Sequence, residues 1–233
     1  MSKDEIKKML EEMFGEKPEQ KQETEKAEAK AEEPKAEPPK ATKKPRRSRE
    51  EITVNKIFKR IRKSAEKSAQ GLLKYDFEDA DGYLTILDGY RILRTREKIE
   101  ERNPLPADEK HYDVSKFWKE VENNTYLLET PSVAELKEGI KNAKAEWKAK
   151  GHKSKCTVAY QFKKGLVINA EFLLDAIEAV GNTEAYISKP KEEVYRYVKP
   201  FRFATDNYET QCIVLPINPD LKNEAENAYY AFA

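Results

Sequence analysis

Cysteine, histidine, glycine and long apolar runs are all scarce in this chain of 233 residues, and each scarcity argues against a class of function. The only two cysteines are Cys156 and Cys212. Both fall in strand-like stretches, so free buried thiols in a reducing cytosol are expected rather than a disulfide framework. The two histidines, His111 and His152, lie far apart in loop-like sequence with no cysteine at ligand spacing, which argues against a metal centre. Eight glycines occur singly, mostly at turns, and none belongs to a G-x-S-x-G, Walker A or dinucleotide-binding pattern. No apolar run approaches membrane-spanning length and the N-terminus has no signal-peptide core. The expectation is a soluble cytoplasmic protein without cofactor, metal or membrane contact. The acidic pair Asp79 and Asp81 sits beside Asp-Gly turn sequences at 81–82 and 88–89, which turn chemistry explains. With no catalytic constellation in view, the chain reads as a non-enzyme.

Charge, by contrast, is abundant but balanced. Lys and Arg number 44 against 43 Asp and Glu, so any polyanion contact has to come from a local patch. Residues 16–50 are almost entirely Glu, Lys, Ala, Pro, Gln and Arg. Such a segment buries too little apolar surface to offset the entropy of ordering, and reads as a disordered linker. It ends in the basic run Lys43 to Arg49. Before it, residues 1–15 form a short amphipathic helix in which Ile6, Leu10 and Phe14 share a face. That helix reads either as a docking peptide or as a frayed terminus. A linker of that length gives it a reach of roughly 30–35 Å.

Aromatic and aliphatic residues gather after residue 50. A helix is expected over residues 53–68, then a strand in "GLLKYDFED" and two strands around a turn in "GYLTILDGYRILRTRE". Residues 98–155 read as a helical insertion, with Ser132 and Glu135 spaced for a capping box. Trp118, Leu136, Ile140 and Trp147 are its core-facing or oligomer-facing apolar residues. Strands return at "CTVAYQF" and "LVI". Asn169 then opens a helix that Gly181 closes, and three more strands follow to residue 218. The tail at 219–233 has no clear structure. No βαβ alternation occurs, so the fold class is α+β with a mostly antiparallel sheet.

Two helices carry the information about surfaces. In Thr53–Gln70, Val54, Ile57, Phe58, Ile61 and Ala65 form one face, while Lys56, Arg60, Lys63 and Lys67 lie opposite, flanked by Lys59 and Arg62. Glu66 is the only acid among them. Such a stripe suits contact with phosphates without base readout, or is simply a solvated face. In the helix after Asn169, Glu171, Asp175 and Glu178 are expected on the outer face, where they would repel a phosphate backbone.

Two stretches together resemble a known family. "GYLTILDGYRILRTRE" (82–97) is similar to a strand pair of the bacterial DNA sliding clamp, the β subunit of the replicative polymerase. Leu87 stands where that family has threonine, Tyr90 where it has histidine and Ile92 where it has leucine. "LVINAEFLLDAIEAVG" (166–181), followed by strands ending in "CIVLPIN", is similar to the close of the clamp's last domain. The resemblance covers about 110 of the 233 residues and leaves out the N-terminal 50 and the insertion. It implies a single clamp-like domain over 51–218, built from a helix plus mostly antiparallel sheet repeated twice. It further implies a processivity or tethering factor in DNA replication, bacterial or phage, that binds duplex DNA without sequence preference through Lys56, Lys59, Arg60, Arg62, Lys63 and Lys67. Polymerase or other replication proteins, and a homo-oligomer, are the implied partners. By the same resemblance Gly89, Tyr90, Arg91 and Ile92 match one part of a partner-binding pocket and Ile213, Leu215 and Pro216 the other, expected to meet across a subunit boundary. The alternative is an interaction adaptor on the same scaffold, with Ile6, Leu10 and Phe14 docking a partner.

Overall fold

Val54, Ile57, Phe58, Ile61 and Ala65 are all essentially inaccessible to solvent, as the helical spacing of these apolar residues requires. They belong to helix α1 (Arg49–Ala65). In the computed structural model the described residues are 49–67, 71–152, 156–162, 166–188, 200–217 and 227–230. All lie in one of two compact units, Ser48–Ala233. The proposed N-terminal helix with Ile6, Leu10 and Phe14, and the linker up to residue 48, lie outside the described residues.

After α1 come β1 (Phe77–Glu78), β2 (Leu84–Leu87) and β3 (Arg91–Thr95). The insertion supplies α2 (Ser115–Glu122), β4 (Tyr126–Glu129) and α3 (Val133–Ala149). Then β5 (Thr157–Gln161), β6 (Val167–Asn169) and α4 (Ala170–Val180) lead into β7 (Glu184–Ile187), β8 (Phe201–Ala204) and β9 (Thr210–Val214), with β10 (Asn227–Tyr230) last. The main sheet has seven strands in the order β1-β2-β3-β9-β8-β7-β4, all antiparallel. A helix followed by three strands therefore occurs on each side of the β3–β9 ladder. There Arg91 faces Val214 and Ile92 faces Ile213.

The pleat sorts side chains to two cores. Ile86, Leu93, Cys212 and Val214 join α1, α3 and α4 in the larger cluster. Leu87, Ile92 and Ile213 join Trp118 and Val121 of α2 in the smaller one. The sheet thus lies between α1 and α4 on one face and α2 on the other. Burial of Leu136, Ile140 and Trp147 in the larger cluster, and of Trp118 in the smaller, gives the insertion's apolar residues their packing role.

Local signals behave as read. Ser132 Oγ accepts from Glu135 N while the Glu135 carboxylate accepts from Ser132 N at 2.7 Å, a complete capping box. This hydrogen bonding, from the Ser132 side chain first, holds the Glu135 carboxyl below its ordinary range. Asn169 Oδ1 accepts from Glu171 N and Phe172 N, and Gly181 closes α4 with φ 66°. Both cysteines are buried free thiols.

Three expectations need correction. "GLLKYDFED" is not one strand: Gly71–Lys74 is a single 3-10 turn that buries Leu73, Asp76 makes an isolated bridge to Pro104, and only Phe77–Glu78 joins the main sheet. The insertion is not purely helical, because Tyr126–Glu129 joins the main sheet against β7. The tail carries β10, which runs parallel to β5.

Candidate nucleic-acid and partner interface

The cations of α1 and of the turn after it divide into two groups. Lys56, Lys63 and Lys67 are exposed and have no ion pair among the described residues. Lys56 and Lys63, at i and i+7, fall within about a 20° arc of the helix, and Lys67 lies in the turn just after the helix ends at Ala65. The other three are engaged. Lys59 Nζ lies 2.6 Å from Glu101 Oε1, both exposed. Arg60 Nη1 pairs with Asp175 and, at 3.5 Å, with Glu178. Arg62 Nη2 donates to Asp76 Oδ2 and to the Glu101 carbonyl, both at 2.8 Å.

Those partners arrive from elements that sequence spacing could not connect. Asp76 is fully buried just before β1. Its carboxylate takes Arg62, Arg102 Nε at 2.5 Å and the Asn103 backbone N–H at 2.6 Å. It thereby fastens the segment after β3 along α1, where Asn55 Oδ1 also accepts from Glu100 N at 3.0 Å. The run "KIEERN" (98–103) was the available signal: one apolar residue, Ile99, followed by Glu100 and Glu101, which can lie beside a basic helix.

Asp175 departs from expectation. It does not sit on an outer face but is buried, where it accepts from Arg60 and from Arg91 Nη1. Glu178 bridges Arg60 and, at 2.6 Å, Lys137 of α3, and Glu171 pairs with Lys144. The acids of α4 therefore do not stand free to repel a phosphate backbone. Residues 53–67, 133–149 and 170–180 together carry ten basic and seven acidic side chains, a surplus of three, concentrated on the exposed lysines.

The second predicted set is brought together within one chain. Pairing of β3 with β9 sets Gly89–Ile92 beside Ile213–Pro216, and Leu215 N donates to the Tyr90 carbonyl at 2.8 Å. No subunit boundary is needed, which corrects the expectation that these halves meet between copies. Ile92 and Ile213 are core residues of the smaller cluster. Gly89 turns the hairpin with φ 87°, a conformation glycine adopts without steric cost. Arg91 is only 4% exposed. Its Nε donates to Asp88 Oδ2 at 2.9 Å, its Nη1 reaches Asp175, and its guanidinium lies 4.3 Å over the Phe172 ring. Burial pulls the Arg91 pKa down, but the charges of Asp88 and then Asp175 more than offset it and hold it above the ordinary value. Arg91 thus braces the hairpin to α4. Tyr90, 60% exposed, with its ring 6.1 Å from Phe172, faces outward beside half-buried Leu215 and Pro216.

His111 and His152 stack on Phe77 and Trp147. No group of metal-binding side chains occurs among the described residues. No helix is long and apolar enough to cross a membrane among them.

The site is a helix layer with a lysine stripe, laid on a seven-stranded antiparallel sheet with an aromatic ledge at one hairpin. No family model and no curated protein matches the sequence. Among solved structures, the chain is similar to one from Eubacterium rectale named "Putative DNA polymerase III beta subunit", at 13% identity and a TM-score of 0.43. The match covers 72% of this chain and 64% of that one, so this chain spans less than two thirds of its length.

Proposed function

We propose that this chain is a non-enzymatic, clamp-like tethering protein that contacts duplex DNA without sequence preference. In this reading the αβββ order found on each side of the β3–β9 ladder is the twice-repeated unit that the sequence resemblance implies. The observation that carries the proposal is the set of exposed lysines on the helix side of the sheet, Lys56 and Lys63 on one face of α1 and Lys67 in the turn that follows it. The contact set is accordingly smaller than the six cations read from sequence. Lys59 is held by an exposed glutamate, a weak restraint, and joins the stripe once a phosphate competes for it. Arg60 and Arg62 hold the fold together.

Three to four phosphate contacts predict weak binding, with log K falling against log salt at a slope of about −3. Changing Lys56, Lys63 and Lys67 to Glu abolishes it. Unchanged affinity in that triple variant rejects the assignment. Solution mass by light scattering, with and without DNA, tests assembly: a mass of several copies fits a ring closed by rotation, whereas a strict monomer favours the adaptor.

A second reading is favoured by Tyr90. A large aromatic side chain held outward beside Phe172, Leu215 and Pro216 is the kind of anchor that partner interfaces use. On that reading the chain is an adaptor with two attachment points, this ledge and the N-terminal segment containing Ile6, Leu10 and Phe14. Deleting residues 1–15 separates the readings: partner capture lost with DNA binding intact supports the adaptor, and the converse supports the clamp. Tyr90→Ala reports on the ledge alone.

A further inference from the structure

On the face of the sheet away from α1 and α4, a cleft of about 770 Å³ opens between the strands and α2. It is lined by Arg94 of β3, Arg202 of β8, Gln211 of β9, Trp118 and Lys119 of α2, and Tyr208 of the β8–β9 turn. Among the described residues five buried side-chain polar atoms lack a hydrogen-bond partner. Three of them, Trp118 Nε1, Arg94 Nε and Arg202 Nε, belong to residues lining this cleft. All three are N–H donors. Buried donors without acceptors are rare in folded proteins, and three of the five sit on side chains that line this one cleft.

Most of its carboxylates are already engaged. Asp79 accepts from the backbone N–H groups of Asp81 and Tyr83 and from the Thr85 hydroxyl, and Asp81 accepts from Arg94 at 3.0 Å. Asp113 accepts from Ser115 N, and hydrogen bonds from Ser115 hold its carboxyl below the ordinary range. Glu122 is exposed at the end of α2. Arg94 is fixed between two rings, 3.8 Å over Trp118 and 4.5 Å over Tyr83. Neither Arg202 nor Lys119 makes an ion pair among the described residues, although the Lys119 charge reaches Asp113. Arg202 lies 5.2 Å over the Tyr208 ring.

Tyr208 is unusual in its own backbone. Its φ is 58°, a left-handed conformation rare for a bulky residue. The turn is locked there because the Tyr208 carbonyl accepts from Tyr83 Oη at 3.0 Å and from Gln211 Nε2 at 3.1 Å. The consequence is a half-exposed aromatic ring standing at the cleft beside a guanidinium whose Nη1 donates only to the Glu122 carbonyl, at 3.4 Å, and which has no carboxylate partner among the described residues.

We propose that this cleft binds a small ligand with a flat ring and an oxyanion, carboxylate or phosphate. The ring stacks on Tyr208 and the oxygens are held by Arg202 and Lys119. The volume suits a ligand of that size, and charge-assisted bonds from Arg supply the orientation. The proposal stands apart from the DNA reading, which uses the opposite face of the sheet.

The test uses the full chain labelled with nitrogen-15. Two tryptophans give two indole N–H signals, and Trp118→Phe assigns the one in the cleft. The probes are adenosine monophosphate, para-hydroxybenzoate and adenosine. The expected result is a saturable shift of the Trp118 indole signal with at least one of the two oxyanions and none with adenosine. Response to the monophosphate alone identifies a phosphate ligand, and response to the benzoate alone a carboxylate. Arg202→Gln weakens the response about tenfold, the loss expected for one charged hydrogen bond. Tyr208→Asn, which keeps a residue tolerant of the left-handed conformation, weakens it as well and serves if the arginine variant fails to fold. No saturable shift with either oxyanion, an equal shift with adenosine, or an unchanged response in both variants overturns the proposal.

Discussion

Asp175→Asn is the substitution on which the electrostatic account of the fold is most exposed. Asp175 and Arg91 are both buried, with side chains 9% and 4% exposed, and Arg91 links the Asp88–Gly89 hairpin to α4. Neutralising Asp175 leaves Arg91 with Asp88 only. A buried charged hydrogen bond is worth about 1.5–3 kcal/mol. Arg60 adds about 0–1 kcal/mol, because its side chain is 40% exposed and it retains Glu178. The sum is about 1.5–4 kcal/mol of lost stability, or a fall in Tm of roughly 3–15 °C for a unit of this size. Urea denaturation measures it directly, and a cycle with Arg91→Met isolates the pair. The triple variant Arg91→Met, Asp175→Leu, Asp88→Asn removes every charge of the buried cluster and should recover much of the loss, since a buried ion pair replaced by uncharged groups is often neutral. A loss below about 1 kcal/mol in Asp175→Asn, with no coupling to Arg91, would show that Asp88 alone satisfies the arginine and that the bridge between hairpin and helix is energetically idle.

Other expectations follow from single residues. Burial pushes the Cys212 thiol up to about 12 from an ordinary value of 9.0. Its folded pKa exceeds the unfolded one, so its contribution is intact below pH 9 and is lost as pH rises from about 9 toward 12. Denaturation midpoints at pH 8 and 10.5 should therefore diverge less in Cys212→Val than in the parent, and native Cys212 should resist alkylation. Gly89→Ala meets only Leu73 Cδ1 at 3.8 Å but is held at φ 87°, so it should cost about 1–2 kcal/mol from backbone strain alone, read as a lowered urea midpoint. Glu171→Gln with Glu178→Gln frees Lys144, Lys137 and part of Arg60, and should tighten duplex binding at low salt. No change would place the duplex away from α4 or remove it from the account.

What the sequence made legible was whatever depends on near neighbours. The apolar face of α1, the Asp88–Gly89 hairpin, the Ser132 capping box and the Asn169-to-Gly181 limits of α4 all rest on spacings of a few residues. What stayed hidden depends on distant ones. Arg62 meets Asp76 from 14 residues away and Arg60 meets Glu178 from 118, so a stripe of six cations in sequence became three in space. Strand β4 was invisible because four residues between two strongly periodic helices give too short an alternation. Strand β10 was invisible because an aromatic pair in a polar tail carries no period. Tyr208 offered no signal at all; its left-handed backbone is imposed by Tyr83 and Gln211.

The alternation of β3 makes the two proposed surfaces separable. Arg91 and Leu93 point toward the helix layer, whereas Ile92 and Arg94 point toward α2, so one strand serves both faces without a shared side chain. Variants on opposite faces with no common partner are expected to act additively. Arg202→Gln should leave the salt slope of DNA binding unchanged, and the Lys56, Lys63, Lys67 triple variant should leave the Trp118 indole response unchanged. A cross-effect in either direction would mean that the sheet itself shifts on binding. The β3–β9 ladder, where both faces meet, is then where the displacement would be measured.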